Sequence, residues 1–192
     1  MRVRAGPRRM GRMTVDAAQP FRVVFVCTGN ICRSPMAEVV LRHVAARTTL
    51  PGPNGVAPTT LGGRIEISSA GTGPWHEGEP MDPRARVALA ARGYRTAGHV
   101  ARQFASEQFK TVDLVVALDR RHQQTLRGLN RGRSEADRLV LLRSFDREAG
   151  GALDVPDPYY GDETDFDRCL SQVEAACHGL TTALATAFTV SA

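Results

Sequence analysis

The sequence lacks any stretch of about 18 apolar residues, the length that a membrane-spanning helix needs. Its N-terminus also lacks the apolar core of a secretory signal, so we expect neither a membrane span nor a conventional signal peptide. Only four of the 192 residues are cysteines, and the composition is otherwise ordinary, which argues against a disulfide scaffold. These absences favour a cytoplasmic protein in a reducing compartment, and they leave export by an unconventional route open.

The chain also has no run of basic residues interleaved with aromatic ones, although its formal net charge is +5. Much of that charge comes from five arginines within the first twelve residues, namely Arg2, Arg4, Arg8, Arg9 and Arg12. No nucleic-acid-binding signature accompanies them, so we expect no nucleic-acid partner. The sequence predicts a basic, disordered tail over residues 1–19 and a single domain over residues 20–192, with a monomer as the default state.

The most informative stretch is VCTGNICRSP (Val26–Pro35), which follows the apolar run Phe21–Val26. The apolar run predicts a strand that ends in a loop containing glycine and asparagine. The Ser-Pro pair at the end of the stretch is typical of a helix start, so we expect Ser34 to cap a helix. Such a strand-to-helix crossing directs backbone N–H groups and the helix dipole at one small volume, which predicts an anion site.

Cys27 opens this loop and Arg33 closes it. A thiol beside a guanidinium and a helix N-terminus ionises readily, so Cys27 is expected to be a thiolate at neutral pH. Arg33 supplies a planar fork of donors that fits two phosphate oxygens. The pattern predicts phosphoryl transfer through a cysteinyl-phosphate. It implies no cofactor and no metal, because no Gly-Lys-Ser/Thr of a Walker-type loop is present.

The stretch resembles the phosphate-binding loop of the low-molecular-weight protein tyrosine phosphatases. DPYYGD (Asp157–Asp162) is similar to the general-acid loop of that family. Between the two, SAGT, a tryptophan, DPRA and HVARQ occur in the family's order, so the resemblance covers residues 21–188 and is strongest to the actinobacterial members. It implies hydrolysis of phosphotyrosine in proteins, which would then be the partners of this chain.

Three aspartates near residue 157 could supply the general acid: Asp154, Asp157 and Asp162. The chemistry requires a proton for the departing phenolate and then a base for the hydrolytic water, and one carboxyl can do both in turn. By itself Asp157 reads as an ordinary turn carboxylate before a proline. The resemblance selects Asp157 because it precedes Pro-Tyr-Tyr.

Other residues of the stretch are expected to hold the substrate phosphate through their backbone amides: Thr28, Gly29, Asn30, Ile31 and Cys32. Asn30 tolerates positive φ, so we expect it to maintain the shape of the loop. The resemblance implies that the Ser34 hydroxyl stabilises the Cys27 thiolate, and that His99 supports the loop through a hydrogen bond.

Aromatic residues are few, and three of them fall in loops that the topology brings to the same end of the sheet: Trp75, Tyr159 and Tyr160. Ordinary loop packing is one interpretation of these residues. An aromatic wall beside the phosphate site is the other, which the resemblance supports. Such a wall would accept a phenyl ring and favour phosphotyrosine over the shorter phosphoserine.

Cys32 lies five residues after Cys27. A packing role is one interpretation of this residue. Our hypothesis is that peroxide converts Cys27 to a sulfenic acid and that Cys32 resolves it to a reversible disulfide. Cys169 and Cys177 are eight residues apart on a predicted helix, so they cannot pair without unwinding it, and we expect both to be inert.

Strand and helix patterns alternate along the rest of the chain. Four strands are predicted, at residues 21–26, 64–68, 112–118 and 139–142, and the segment 51–63 is predicted to be a surface loop. A helix is expected to begin at Asp82 and end at Gly93 with Val87, Ala88 and Ala91 on its apolar side, a polar surface helix to follow residue 118, and a last helix to span residues 166–188. This alternation predicts an α/β doubly wound parallel sheet with helices on both faces, and the resemblance implies four strands with flavodoxin-like winding.

Two other functions remain compatible with parts of the pattern. An arsenate reductase on the same fold would need a relay of further cysteines near the anion loop, yet none lies between Cys32 and Cys169. A module that binds phosphotyrosine and releases it intact would need neither the thiolate of Cys27 nor the acid of Asp157. Both alternatives therefore explain less of the sequence than a phosphatase does.

Overall fold

The computed structural model describes residues 19–52, 57–96, 98–130 and 138–190. The predicted N-terminal tail lies almost wholly outside these ranges, so the tail and the domain boundary at residue 20 stay predictions. No helix within the described ranges is long and apolar enough to cross a membrane.

The described residues form six strands and four α-helices. In chain order they are β1 (Phe21–Cys27), α1 (Arg33–Ala45), β2 (Thr49–Leu50), β3 (Thr59–Thr60), β4 (Ile65–Gly71), α2 (Pro83–Ala91), β5 (Leu114–Ala117), α3 (Arg120–Leu129), β6 (Leu139–Leu141) and α4 (Glu163–Val190). Short 3₁₀ helices cover Leu61–Gly63, Ser106–Lys110 and Leu142–Phe145.

The central sheet has four parallel strands in the order β4-β1-β5-β6. Strand β1 is buried on both faces: Val23 and Phe25 pack into the core shared with α1 and α4, while Val24 and Val26 pack into the core on the other face. Because both faces are covered, residues 23–27 of β1 and all of β5 are continuous apolar runs rather than alternating ones. The predicted fold class is therefore confirmed.

Helix α2 departs from its predicted packing. The predicted limits are close, with Asp82 capping the N-terminus and Gly93 in the left-handed region (φ 78°) just after the end. The predicted apolar face is wrong for Val87, which is 62% exposed, and for Ala91, which is also exposed, whereas Ala88 does pack against the core. The buried residues of the helix are Ala85 and Leu89. Its apolar residues are mostly alanines, whose small side chains define a face poorly, so the single leucine decides which side is buried.

The segment predicted as a surface loop, residues 51–63, also contains more structure than expected. Residues 53–56 lie outside the described ranges, but Thr59–Thr60 pairs antiparallel with Thr49–Leu50. The 3₁₀ turn that follows buries Leu61 completely, and Thr60 Oγ1 caps the turn by accepting from Gly63 N. Glycine and proline are so frequent in this segment that its sequence pattern did not reveal Leu61 as a core residue.

Parallel strands bring the loops that follow them to one edge of the sheet. Thr72 N donates to Cys27 O at 2.8 Å, and Leu118 N donates to Val26 O at 3.1 Å. The loops after β1, β4 and β5 therefore lie side by side at the carboxyl end. Gly71 permits this close approach, since a Cβ there would lie 2.7 Å from Thr28 O.

Candidate active site

Residues 27–33, which we call the anion loop, join the last residue of β1 to the first residue of α1. The helix begins at Arg33, two residues before the start at Pro35 that a Ser34 cap implies, and Ser34 is not its cap; the N-cap residue is Cys32, without a side-chain hydrogen bond. The Ser34 hydroxyl instead turns into the loop, where Oγ lies 3.0 Å from Cys27 Sγ and 3.2 Å from Ala70 O. A buried hydroxyl is thus placed against the thiol.

Asn30 holds the loop from inside. Its backbone has φ 59°, and its side chain is fully buried. Nδ2 donates to Ser34 Oγ and Ser69 Oγ at 2.9 Å each, while Oδ1 accepts from Arg102 N at 3.0 Å. His99 Nε2 lies 2.7 Å from Asn30 O. The structure therefore brings His99 and Asn30 together, and each side-chain polar atom of Asn30 has a partner.

Arg33 is buried with its guanidinium between two carboxylates. Nη1 donates to Asp119 Oδ2 at 3.0 Å, and Nη2 donates to Asp157 Oδ2 at 2.6 Å. Nη2 also donates to Thr28 Oγ1 at 3.1 Å, so the guanidinium contacts the anion loop itself. The side chain is only 5% exposed, which makes these charge-assisted contacts strong.

Of the three candidate aspartates, Asp157 is the one that contacts Arg33. Its side chain is 43% exposed, so it faces the solvent side of the site. Asp154 instead forms an ion pair with Arg120 at 2.7 Å, and Asp162 accepts from Thr164 N at 2.9 Å in the first turn of α4. Of these three aspartates, Asp157 is therefore the one that lies at Arg33.

Two residues of the site were missed in the sequence. Asp119 caps α3 by accepting from His122 N at 2.8 Å, and its other oxygen binds Arg33. His122 is 4% exposed, and its Nε2 lies 2.8 Å from Thr28 Oγ1. Helix α3 is polar and mostly exposed, as predicted, but it buries His122 and Leu126. The position of Asp119 directly after a buried parallel strand is a signal that could have identified it.

Aromatic residues surround part of this edge. The rings of Tyr159 and Tyr160 meet edge to face at 4.9 Å, and Tyr159 also lies 5.9 Å from the His76 ring. Tyr160 is 94% exposed and Trp75 is 68% exposed. Trp75 covers Gly73, whose N–H donates to Thr28 O at 3.2 Å, so the tryptophan is held next to the anion loop. All three aromatic residues belong to loops at the carboxyl end.

All four cysteines are reduced and buried. Burial and nearby Asp82 raise the pKa of the Cys32 thiol far above its ordinary value, and burial raises the pKa of Cys169 to about 12. Within the described ranges, no group of three or more His, Cys, Asp or Glu side chains is placed to hold a metal ion.

Comparisons with known proteins give consistent results. The family model described as low molecular weight phosphotyrosine protein phosphatase matches residues 22–189. The low molecular weight protein-tyrosine-phosphatase of Streptomyces coelicolor is 52% identical over 165 residues, which make up 85% of this chain and 93% of the relative. The low molecular weight protein-tyrosine phosphatase A of Mycobacterium tuberculosis is 46% identical over 168 residues, or 85% and 91% of the two chains.

Solved structures give the same result. YfkJ from Bacillus subtilis has a TM-score of 0.74 at 31% identity, covering 87% of this chain and 96% of that one. A protein tyrosine phosphatase from Entamoeba histolytica, crystallised with Hepes in its active site, has a TM-score of 0.71 at 32% identity, with coverage of 83% and 94%.

Proposed function

This chain belongs to the low molecular weight phosphotyrosine protein phosphatase family, and we propose that it hydrolyses phosphotyrosine monoesters of proteins through a phosphorylated Cys27 without a metal. The observation that carries the proposal is the position of Arg33. Its Nη2 contacts both the anion loop, at Thr28 Oγ1, and the carboxyl of Asp157. These contacts support a site in which the Cys27 nucleophile, the Arg33 cation and the Asp157 proton donor act on one phosphate group.

In the first step the Cys27 sulfur attacks phosphorus in line with the leaving phenolic oxygen. The backbone amides of residues 28–33 and the Arg33 guanidinium hold the three equatorial oxygens, on which negative charge spreads in the transition state. The Ser34 hydroxyl, 3.0 Å from the sulfur, stabilises the thiolate before attack and again when it leaves. Catalysis rests mainly on positioning and on electrostatics.

Asp157 supplies the proton to the leaving phenolate and then removes a proton from the water that cleaves the phosphoryl–sulfur bond. Before substrate binds, its carboxylate is paired with Arg33. The phosphate group brings its own oxygens to Arg33 and so competes with Asp157 for that contact. Release from the guanidinium frees the Asp157 carboxyl to donate its proton to the leaving oxygen in the first step.

The aromatic residues at the rim provide the preference for phosphotyrosine. Trp75, Tyr159 and Tyr160 form a wall beside the anion loop that accepts a flat phenyl ring. A phosphoserine side chain is shorter, so its phosphorus would stop above the Cys27 sulfur. Beneath this wall, Asn30 and His99 keep the loop in its anion-binding shape. The partners are phosphotyrosine-containing proteins, the enzyme is a monomer, and the compartment is the cytoplasm.

The test compares an aryl phosphate, a phosphotyrosine peptide and a phosphoserine peptide as substrates, with a metal chelator present throughout. Wild-type protein should hydrolyse the first two and not the third, whereas Cys27→Ser should hydrolyse none. Cys177→Ser is a matched control, because that buried thiol lies on α4 away from the anion loop and contacts Ala37 O. Turnover by Cys27→Ser, or loss of turnover on chelation, would overturn the proposal.

Redox control by a Cys27–Cys32 disulfide stays a prediction. Cys32 is positioned within the same loop, but the raised pKa of its thiol makes the attacking thiolate scarce. We therefore expect slow disulfide formation under mild peroxide. Mass spectrometry that finds sulfinic or sulfonic acid on Cys27, with no link to Cys32, would reject this form of protection.

A further inference from the structure

His122 is a buried residue in the first turn of α3 that bridges two groups at the anion loop. Its Nε2 lies 2.8 Å from Thr28 Oγ1, and its Nδ1 lies 3.0 Å from Asp119 Oδ1. The second contact is too oblique for a hydrogen bond, and Nδ1 has no other partner among the described residues. The imidazole therefore links the capping carboxylate of α3 to the hydroxyl of the anion loop.

Together with Arg33, these side chains form a closed ring of contacts. Asp119 Oδ2 accepts from Nη1 of the guanidinium at 3.0 Å, and Thr28 Oγ1 accepts from Nη2 at 3.1 Å. Asp119 and Thr28 thus each accept from one terminal nitrogen of the guanidinium, and His122 contacts both of these residues. Asp157, the other partner of Nη2, lies outside the ring and is the contact that an incoming phosphate replaces.

The donors in the ring fix the direction of the Thr28 hydroxyl. Arginine only donates hydrogen bonds, so Thr28 Oγ1 must accept from Nη2 and its own proton must point elsewhere. His122 Nε2 can accept that proton if the imidazole carries its hydrogen on Nδ1, which the nearby Asp119 carboxylate favours. Burial and the charge of Arg33 lower the pKa of His122 to about 4. The imidazole is therefore neutral at neutral pH, and its Nε2 is free to accept a hydrogen bond.

We propose that His122 is a positioning residue for phosphoryl transfer, which acts through the Thr28 hydroxyl to hold Arg33 Nη2 while a phosphate displaces Asp157. The inference rests on the proposed phosphatase function and adds a residue to it. His122 does not touch the substrate. Without it, the Thr28 hydroxyl can rotate and offer its proton toward the guanidinium, and Nη2 loses an aligned acceptor.

The test uses His122→Leu, His122→Asn, Thr28→Val and the double variant His122→Leu/Thr28→Val, with an aryl phosphate as substrate. Each single variant should lower kcat/KM about tenfold, the effect of one misaligned hydrogen bond to a charged group. The double variant should lose about tenfold as well, because both changes break the same chain. Thr28→Ser keeps the hydroxyl and should restore most of the kcat/KM that Thr28→Val loses.

Three outcomes would overturn the inference. The first is a folded His122→Leu or His122→Asn protein with wild-type kcat/KM. The second is a hundredfold loss in the double variant, which would mean that the two residues act independently. If both His122 variants fail to fold, wild-type kcat/KM in Thr28→Val is the third, because the exposed Thr28 can be changed without disturbing the core.

Nitrogen NMR of the wild-type imidazole provides a readout that does not depend on activity. We expect His122 to be neutral with its proton on Nδ1, and a ring protonated on Nε2 at neutral pH would contradict the proposed hydrogen-bond direction. Failure of the phosphatase proposal would look different, because wild-type protein would then show no turnover that depends on Cys27.

Discussion

The two ends of the sheet bury different kinds of residues. At the carboxyl end, the buried polar residues include Asn30, Arg33, Ser34, Ser69 and His122, and all of them take part in contacts at or beneath the anion loop. At the amino end, the core is apolar, as in the edge-to-face contact of Phe21 with Phe188 at 6.2 Å. Thr181 is the exception on α4, and its hydroxyl bonds within its own helix.

This difference separates catalysis from stability. Buried polar groups are costly unless each has a partner, so a dense polar network at one end marks a site that needs a fixed arrangement of charges. The apolar end has no such requirement and stabilises the fold by burying surface. Substitutions at the carboxyl end should therefore lower activity, and substitutions at the amino end should lower stability.

Among substitutions that keep the Cys27 nucleophile, Arg33→Lys should give the largest loss of activity. A lysine cannot present two donors in one plane to the phosphate, so kcat/KM for an aryl phosphate should fall about a thousandfold. Arg42→Lys, at the other end of α1, is the matched control and should change kcat/KM less than about twofold, because Arg42 is largely exposed. Steady-state kinetics at neutral pH measures both. A loss below about tenfold in Arg33→Lys would contradict the role of the guanidinium.

Leu184→Ala tests the apolar end. Leu184 is fully buried on α4, so its truncation should lower the free energy of unfolding by about 2–5 kcal/mol in urea denaturation. Below the unfolding transition, kcat/KM should remain within about twofold of wild type. Val190→Ala on the same helix, at a residue 82% exposed, should change the free energy of unfolding by less than about 0.5 kcal/mol. If folded Leu184→Ala lost kcat/KM by a factor that corresponds to the same free energy as its loss of stability, the separation of catalysis from stability would be contradicted.

Asp157→Asn should discriminate between leaving groups. A poor leaving group such as an unsubstituted phenolate needs the proton, so kcat/KM for phenyl phosphate should fall about a hundredfold. A good leaving group such as p-nitrophenolate should lose much less. Asp154→Asn, whose carboxyl pairs with Arg120 instead of Arg33, should leave both substrates unaffected. The same loss with both substrates would argue against proton donation by Asp157.

His122→Asn should change the pH dependence of stability. The pKa of His122 is lowered from 6.5 to about 4 in the folded state, so between these pH values the unfolded chain binds a proton that the folded protein excludes. The wild-type free energy of unfolding should therefore fall as pH decreases from 6.5 to 4, by up to about 1.4 kcal/mol per pH unit.

His122→Asn should lose this part of the slope in urea denaturation, whereas His178→Asn, at an exposed residue of α4, should keep it. Identical slopes in wild type and His122→Asn would show that His122 titrates alike in both states. The buried site at the carboxyl end of the sheet would then not lower the pKa of His122.

Trp75→Ala should give the smallest effect. Loss of one face of the aromatic wall should raise KM for a phosphotyrosine peptide about three- to tenfold, since an aromatic contact contributes about 0.5–1.5 kcal/mol. Val87→Ala removes exposed apolar surface from α2 and should leave KM unchanged. An unchanged KM in Trp75→Ala would mean that the tryptophan covers Gly73 without contacting the substrate.

The sequence predicted the residues that are close together in the chain. Cys27, Arg33 and Ser34 fall within one strand-loop-helix crossing, so their spacing alone indicated an anion site, and the predicted family resemblance is confirmed by the matches to known proteins. Asp157 was selected by that resemblance. The structure adds its contact with Arg33, across 124 residues of sequence.

Asp119 and His122, the two residues that the sequence did not predict, reach the site because of the order of the strands in the sheet. Asp119 lies 86 residues from Arg33 in the chain, and His122 lies 94 residues from Thr28. The sequence of α3 is mostly polar, so His122 did not stand out from a solvated surface helix, and the only signal for Asp119 was its position directly after a buried strand. Only the parallel order of β1 and β5 brings the start of α3 against the anion loop. Ser34 is not the helix cap that its position before Pro35 predicted, but its hydroxyl lies against the Cys27 sulfur, the contact that the resemblance implied, and also accepts from Asn30.

The most direct test of the account is to identify the residue that carries the phosphoryl group. Wild-type enzyme is quenched with acid during turnover of an aryl phosphate, digested, and analysed by mass spectrometry. We predict a phosphoryl group on the sulfur of Cys27 and none on Cys32, Cys169 or Cys177. Turnover without any phosphorylated enzyme, or a phosphoryl group on a different residue, would contradict the account.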